Sequence, residues 1–279
     1  MDFVRVPEGP FLMGSSDEDD LAWDDEKPQH TLEVPYDYWI GKLSVSNAQF
    51  GQFVHATSFE TRAEQEGWCW VWNTRDGQWE KIEGASWQHP LGPSSSIAEL
   101  EEHPVVQVCW HDALAFCKWC NRERANHLPQ GYEFRLPSEA EWEKAARGMD
   151  GRRWPWGNDF DAALCNSKAG GKLCTTTVGT HSPQADSIYG AADMSGNVWE
   201  WTLTLWGNDR DKPDFVYPYV SKDGREDLRA SDGYFRIIRG GSFKDDMRGV
   251  RSACRDLDPP FYSLNNLGFR VLVAPIVET

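Results

Sequence analysis

The sequence predicts an α+β domain with few helices, short strands and many loops, and three observations lead there. Helical spacing of apolar residues is confined to three stretches. The intervals between them are rich in glycine, proline and polar residues. Fifteen tryptophans sit in short runs with polar and glycine neighbours, such as Trp68-Cys-Trp70-Val-Trp72, Trp154-Pro-Trp156-Gly and Val198-Trp199-Glu-Trp201. Each large aromatic buries about 150–250 Å², so a core of indoles holds together a fold with little regular structure. A carbohydrate-stacking surface is the alternative use. At 279 residues the chain suits one large domain or two small ones. It shows no repeat period and no linker, so residues 1–279 are expected to form a single domain.

Taken in order, Phe3 to Gly14 alternates like a hairpin turning at Pro7-Glu-Gly9, and an acidic loop from Ser15 to Glu26 follows. Its carboxylates read as a solvated charge run, with cation binding the alternative. A strand is expected at Thr31–Val34. Asn47 can cap a helix over Ala48–Ala56, where Phe50, Phe53 and Val54 share a face. Residues 58–100 read as long loops with a hairpin around Trp70–Lys81. Val105, Val106 and Val108 suggest a strand leading into a helix over Asp112–Asn126, with Ala113, Phe116, Cys117 and Cys120 on one face. Ser138 and Glu141 form a capping box for the next helix, and Gly148 stops it. Gly/Pro/Trp loops and short strands fill the remainder.

Composition excludes several classes. Acidic residues number 44 against 28 basic ones, a net charge of −16, and that field repels nucleic acid and anionic membranes. No apolar run approaches the roughly 20 residues of a membrane span, and the first residues lack a secretory pattern. A cytoplasmic protein, or a domain excised from a longer one, is therefore expected. The seven cysteines are expected as free thiols, and Cys117-x-x-Cys120 as core rather than a zinc or redox site, since no second ligand pair completes it.

The chain has no glycine-rich nucleotide loop, no G-x-S-x-G elbow and no H-E-x-x-H. Its seven histidines are scattered without metal-binding spacing, and His103 and His111 read as packing residues. Asp193-Met-Ser-Gly196-Asn-Val198-Trp-Glu200 is more suggestive. Two carboxylates enclose a glycine turn whose carbonyls can point inward, a donor set that suits a hard cation. A turn tied by side-chain hydrogen bonds is the alternative. Near the C-terminus, Arg239-Gly-Gly-Ser242 and Gly268-Phe-Arg270 read as strands flanking an exposed loop. That loop carries Lys244, Asp245, Asp246, Met247, Arg248, Asp256, Leu257, Asp258, Pro260, Phe261, Tyr262 and Leu264. Such a mixture of charged and bulky groups points to binding.

These stretches also carry a resemblance. Pro7-Glu-Gly-Pro-Phe-Leu-Met-Gly, Pro28 to His30, Ser44-Val-Ser-Asn-Ala-Gln-Phe and His103-Pro-Val-Val stand in order along the chain. Trp110-His-Asp-Ala, Arg135-Leu-Pro-Ser-Glu-Ala-Glu-Trp-Glu, Trp154-Pro-Trp-Gly-Asn and Gly196-Asn-Val-Trp-Glu-Trp follow, then Arg239-Gly-Gly-Ser-Phe and Asn266-Leu-Gly-Phe-Arg. Together they resemble the formylglycine-generating-enzyme (sulfatase-modifying factor) domain family, which implies an irregular fold like a C-type lectin.

The resemblance places the family's two copper-binding cysteines at Asp245 and Val250, neither of which supplies the soft thiolate that Cu(I) needs. Formylglycine generation is thus disfavoured, and no catalytic residue is assigned. The resemblance also implies a structural calcium held by Asp193, Gly196, Val198 and Glu200. A second calcium site would begin at Asn166 and Ser167, but the acidic ligand is missing. Relatives without the cysteines include oxidases and the variable proteins of diversity-generating retroelements. The expected function is therefore a non-catalytic domain that binds an unknown protein or small molecule through residues 244–264. The alternative is a metal-dependent oxidase centred on Trp199, Ser242 and Asp245, which would need histidines such as His103 or His181 nearby.

Overall fold

The computed structural model describes residues 1–276 apart from 125 and 127, so His127 lies outside the described residues. Two four-stranded sheets form the frame. The first runs in the order β1 (Phe3–Val6), β4 (Tyr38–Gly41), β12 (Leu272–Pro275), β7 (Tyr132–Arg135). The second runs β10 (Arg255–Asp258), β9 (Phe235–Arg239), β8 (Trp199–Gly207), β11 (Leu267–Gly268). Two separate pairs complete the strands: β2 (Gly9–Met13) with β3 (His30–Val34), and β5 (Trp68–Asn73) with β6 (Gln78–Glu83).

The first expected hairpin is not formed. The strands β1 and β2 are both present, but β1 pairs with β4 and β2 reaches across the acidic loop to β3. The non-local partners bury Val6, Phe11 and Met13, which a local hairpin between them would not achieve. The hairpin β5–β6 and strand β3 form as expected. Val105, Val106 and Val108 are buried but irregular, because Gln107 between them takes a positive φ of 59°.

Helix α1 (Asn47–Thr57) is capped by Ser46, whose hydroxyl and Gln49 make a reciprocal capping box, so Asn47 is the first helical residue rather than the cap. Its Nδ2 instead donates to the Leu100 carbonyl. A short helix α2 (Arg62–Glu66), unexpected from the sequence, carries its own box from Thr61 to Glu64. Helix α3 (Trp110–Arg124) starts two residues before the expected Asp112, and buries Phe116, Cys117 and Cys120. One core lies between α1, α3 and the second sheet, where Phe50, Phe53, Trp110, Phe116, Trp201 and Phe269 meet.

Helix α4 (Glu139–Arg147) begins and ends as expected, yet it is buried on every side despite five charged residues. Each charge is matched. Glu139 pairs with Arg255, Glu141 with Arg135, and Glu143 with both Arg147 and Arg239. Lys144 donates to the carbonyls of Pro7 and Gly9. Buried charges persist only when paired and hydrogen-bonded. This lattice ties α4 to both sheets and fixes the position of β9, from which the candidate site is built.

Of the fifteen tryptophans, seven are buried core residues, in line with the core expectation. Trp68, Trp70 and Trp72 on β5 and Trp79 on β6 remain half-exposed.

Candidate functional site

Strand β9 ends at Arg239, and Gly240 and Gly241 turn the chain with φ of 104° and 69°. A Cβ on Gly241 would lie 2.5 Å from the Gly249 carbonyl, so the backbone crosses itself here only because the residue is glycine. Beyond this turn a cleft of about 430 Å³ opens. Its walls are the acidic loop (Trp23, Asp25), Lys168, Trp199 at the start of β8, the segment Lys244–Asp246 with Gly249, and Cys254–Leu257 entering β10.

Asp245 stands at the centre of this wall. Its Oδ2 accepts from the Ser242 amide at 3.0 Å, the Ser242 hydroxyl at 2.6 Å and the Trp199 indole at 2.9 Å. Its Oδ1 accepts from Lys244 Nζ at 3.3 Å. Asn266 Nδ2 supports Ser242 Oγ at 3.1 Å. Five polar groups thus converge, but they close a turn rather than present a reactive atom. Val250 is fully buried beside Trp154 and Cys165. Cys254 is 3% exposed, and burial pushes its thiol well above the ordinary range. No thiolate pair suitable for copper exists at these positions.

Among the described residues no histidine lines the cleft or bonds to Asp245. The side-chain partners of Asp245 are Trp199, Ser242 and Lys244, while His103 meets Thr175 and His181 meets the Ala163 carbonyl. Among the described residues no group of three or more His, Cys, Asp or Glu is placed to hold a metal.

At the expected calcium position the donor set does not fit. Arg270 grips Glu200 through two hydrogen bonds of 2.6 and 2.8 Å, and Trp142 and Ser44 supply two more at 2.7 Å each. Both carboxylate oxygens are therefore saturated and the charge is balanced by the guanidinium. The Gly196 carbonyl accepts from Val198 N at 3.1 Å. Asp193 takes φ 54° and receives the Gly179 amide at 2.6 Å, and burial pushes its carboxyl above the usual range. Within the turn, one hydrogen bond is thus backbone to backbone and the other reaches the Asp193 carboxylate. Asn166 pairs with Asn197, and its Oδ1 is buried without a partner.

The expected binding loop is divided by the structure. Residues Arg255–Asp258 are strand β10 rather than loop, paired to β9. Asp246 and Met247 are exposed, Lys244 and Asp245 line the cleft, and Asp256 faces it near Arg210. Arg248 does not project. Its Nε and Nη2 donate to the Leu21 and Ala22 carbonyls, and its guanidinium lies over Trp23, clasping the acidic loop. Leu257 shows only an edge to the cleft and is 6% exposed, packed with Trp206 and Ile237. Burial and the neighbouring Asp256 push Asp258 up to about 8.

Two more residues placed on that surface by sequence belong inside, as Leu257 largely does. Pro260 is buried with its carbonyl accepting from Trp110 N, and Leu264 is 7% exposed within the main core. Phe261 and Tyr262 are half-buried, in edge contact at 5.3 Å, and border a separate small slot with Trp68 and Trp70. Sequence reasoning missed Trp23, Asp25 and Lys168 as cleft residues. The one available signal was a lone aromatic inside a charge run.

A solved structure of PvdO from Pseudomonas aeruginosa superimposes with a TM-score of 0.71 at 22% identity, covering 97% of this chain and 93% of that one. Treponema denticola variable protein 1 does so with 0.66 at 19%, covering 98% and 95%. Both establish the fold, irregular and C-type-lectin-like as expected. Among curated relatives, the formylglycine-generating enzyme of Thermomonospora curvata is 33% identical over 98% of this chain and 93% of its own length. The inactive Cα-formylglycine-generating enzyme 2 of Bos taurus is 32% identical over 97% and 87%. The model of the sulfatase-modifying factor enzyme 1-like domain matches residues 1–275, and the chain belongs to that family.

Proposed function

We propose that this chain is a non-catalytic binding domain whose ligand, a protein or a small molecule, contacts the cleft and the exposed edge formed by Asp246, Met247 and Asp256. The observation that carries this reading is the chemistry at positions 245 and 250. A carboxylate engaged by Ser242, Trp199 and Lys244 and a fully buried valine stand where activation of oxygen by copper needs two thiolates. The frame around them is rigid, because β9 and β10 are paired and Arg239 is locked into α4. Rigid strands carrying a few exposed, chemically mixed tips suit recognition. The likeness of the fold to Treponema denticola variable protein 1 supports a display role, in which the tips vary on a constant frame. The acidic surface disfavours nucleic acid and anionic membranes as partners, and a cytoplasmic location accords with free thiols.

Two measurements test this. A sulfatase-type cysteine peptide incubated with copper-loaded protein is expected to show no oxidation above a metal-free control; turnover would overturn the reading. Sequencing the locus across isolates is expected to find variation at 246, 247, 256, 261 and 262, with Ser242, Asp245, Arg248 and Leu264 constant. Variation spread evenly over core and surface would remove the display role.

A further inference from the structure

The side chain of Lys244 reaches from the cleft to two indoles of the hairpin β5–β6. It lines the 430 Å³ cleft, and its ammonium reaches toward the hairpin β5–β6, whose Trp72 lines a second cavity of about 730 Å³. There Nζ lies 5.0 Å from the centroid of the Trp72 ring and 5.8 Å from that of Trp79. The two indoles are directly opposite each other across the strand pair, 5.5 Å apart at 70°, so they form two walls of a corner. Asp245 Oδ1, at 3.3 Å, supplies a third wall and a negative charge.

The walls are fixed from behind. Both the amide and the carbonyl of Trp72 are bonded to the side chain of Asn265, at 2.8 and 3.4 Å. Asp245 is held through its other oxygen by three donors that do not involve Lys244. Removing the lysine would therefore leave the corner standing, with Oδ1 without a donor. Two aromatic faces and a carboxylate around one cation are the elements by which proteins recognise alkylammonium groups. The Lys244 side chain is 21% exposed, so the corner is open to solvent on one side.

We propose that Trp72, Trp79 and Asp245 form a binding site for an alkylammonium ligand, occupied at rest by Lys244 as a displaceable internal cation. A methylated amine matches the corner better than a primary one. Its methyl groups contact both rings, and it sheds water at lower cost than a compact, strongly hydrated ammonium. Displacement of Lys244 would also free a wall shared with the cleft, so that a ligand carrying such a group reaches both.

Tetramethylammonium chloride is the probe, titrated against sodium chloride at equal ionic strength and followed by tryptophan fluorescence and calorimetry. Wild type is expected to bind weakly, because the tethered lysine competes, and Lys244→Ala to bind about tenfold more tightly. Trp79→Leu in the Lys244→Ala background is expected to abolish the gain. Should Lys244→Ala fail to fold, judged by circular dichroism, Lys244→Ser serves in its place with the same expectation. If the lysine is merely a structural latch, the variant loses stability and gains no affinity, which overturns the proposal. A gain that survives Trp79→Leu overturns it equally.

Discussion

Replacing Glu200 by Gln distinguishes an ion pair from a cation site at the start of β8. In the structure its carboxylate takes two hydrogen bonds from Arg270 and one each from Trp142 and Ser44, and Arg270 is itself fully buried. The amide leaves that guanidinium charge uncompensated. Its NH2 group also meets a donor where an acceptor stood, since each carboxylate oxygen now takes one bond from Arg270 and one from elsewhere. Removing one partner of a buried pair costs about 3–5 kcal/mol. The Arg270 bonds to the Gly41 and Ala192 carbonyls survive and place the expectation toward the lower part of that range. For a domain of this size that is a fall in Tm on the order of 10 °C. Urea denaturation of wild type and variant, each with and without a chelator, supplies the measurement. Wild type is expected to be indifferent to the chelator. A cost below about 1 kcal/mol, or a chelator effect in wild type that the variant abolishes, would refute the reasoning and restore calcium as the partner of Glu200.

Two further outcomes separate core from surface and fix a pH dependence. Leu264→Ser is expected to destabilise by about 3 kcal/mol or more, as expected when a buried leucine is truncated, while Met247→Ser stays within about 0.5 kcal/mol; equal effects in chemical denaturation would contradict the division made of the expected loop. Burial pushes Glu226 from an ordinary 4.5 up to about 7. The unfolded chain gives up this proton at lower pH than the folded one, so stability falls as pH rises from about 4.5 to 7 and the loss is complete above that. Glu226→Gln is expected to flatten this part of the stability profile, and an unchanged slope would refute the assignment.

What was legible in the sequence depended on whether the partner of a residue lay nearby. Helix α4 begins at Ser138 and stops at Gly148 because its cap and terminator are local. The hairpin β5–β6 is likewise a short-range object. The strands β1 and β2 were legible as strands but not in their pairing, because the partners are 32 or more positions away for β1 and across the acidic loop for β2. The same limit governed the site. The resemblance groups Trp199, Ser242 and Asp245 although Trp199 stands 46 positions earlier, and the structure brings them together, yet nothing local says that the indole donates to the carboxylate. Arg248 looked like a free surface charge because the carbonyls that hold it belong to residues 21 and 22. Leu264 looked exposed because the run of polar residues around it hides that Trp70 bridges to its backbone.

The motifs that carry the family resemblance explain why fold and chemistry separate so cleanly here. Arg239, from the Arg-Gly-Gly-Ser stretch, is wholly buried and pairs with Glu143 of α4. Arg270, from the Gly-Phe-Arg stretch, is wholly buried and pairs with Glu200 of the Trp-Glu-Trp stretch. Arg135 pairs with Glu141, and both belong to the stretch that opens α4. Each of these four motifs thus contributes to a buried ion pair whose other half lies in the same or another of them. Loss of either half would strand a charge in the interior at a cost of several kcal/mol, comparable with much of the stability of a domain. These residues are held together by folding, whatever the cleft does. Copper chemistry, by contrast, depends on two positions that take no part in the lattice. Asp245 meets Ser242, Trp199 and Lys244, and Val250 packs on Trp154 and Cys165. A carboxylate and a valine are accommodated there without disturbing a single pair. The motifs therefore report the frame, and the cleft residues alone report what the frame is used for.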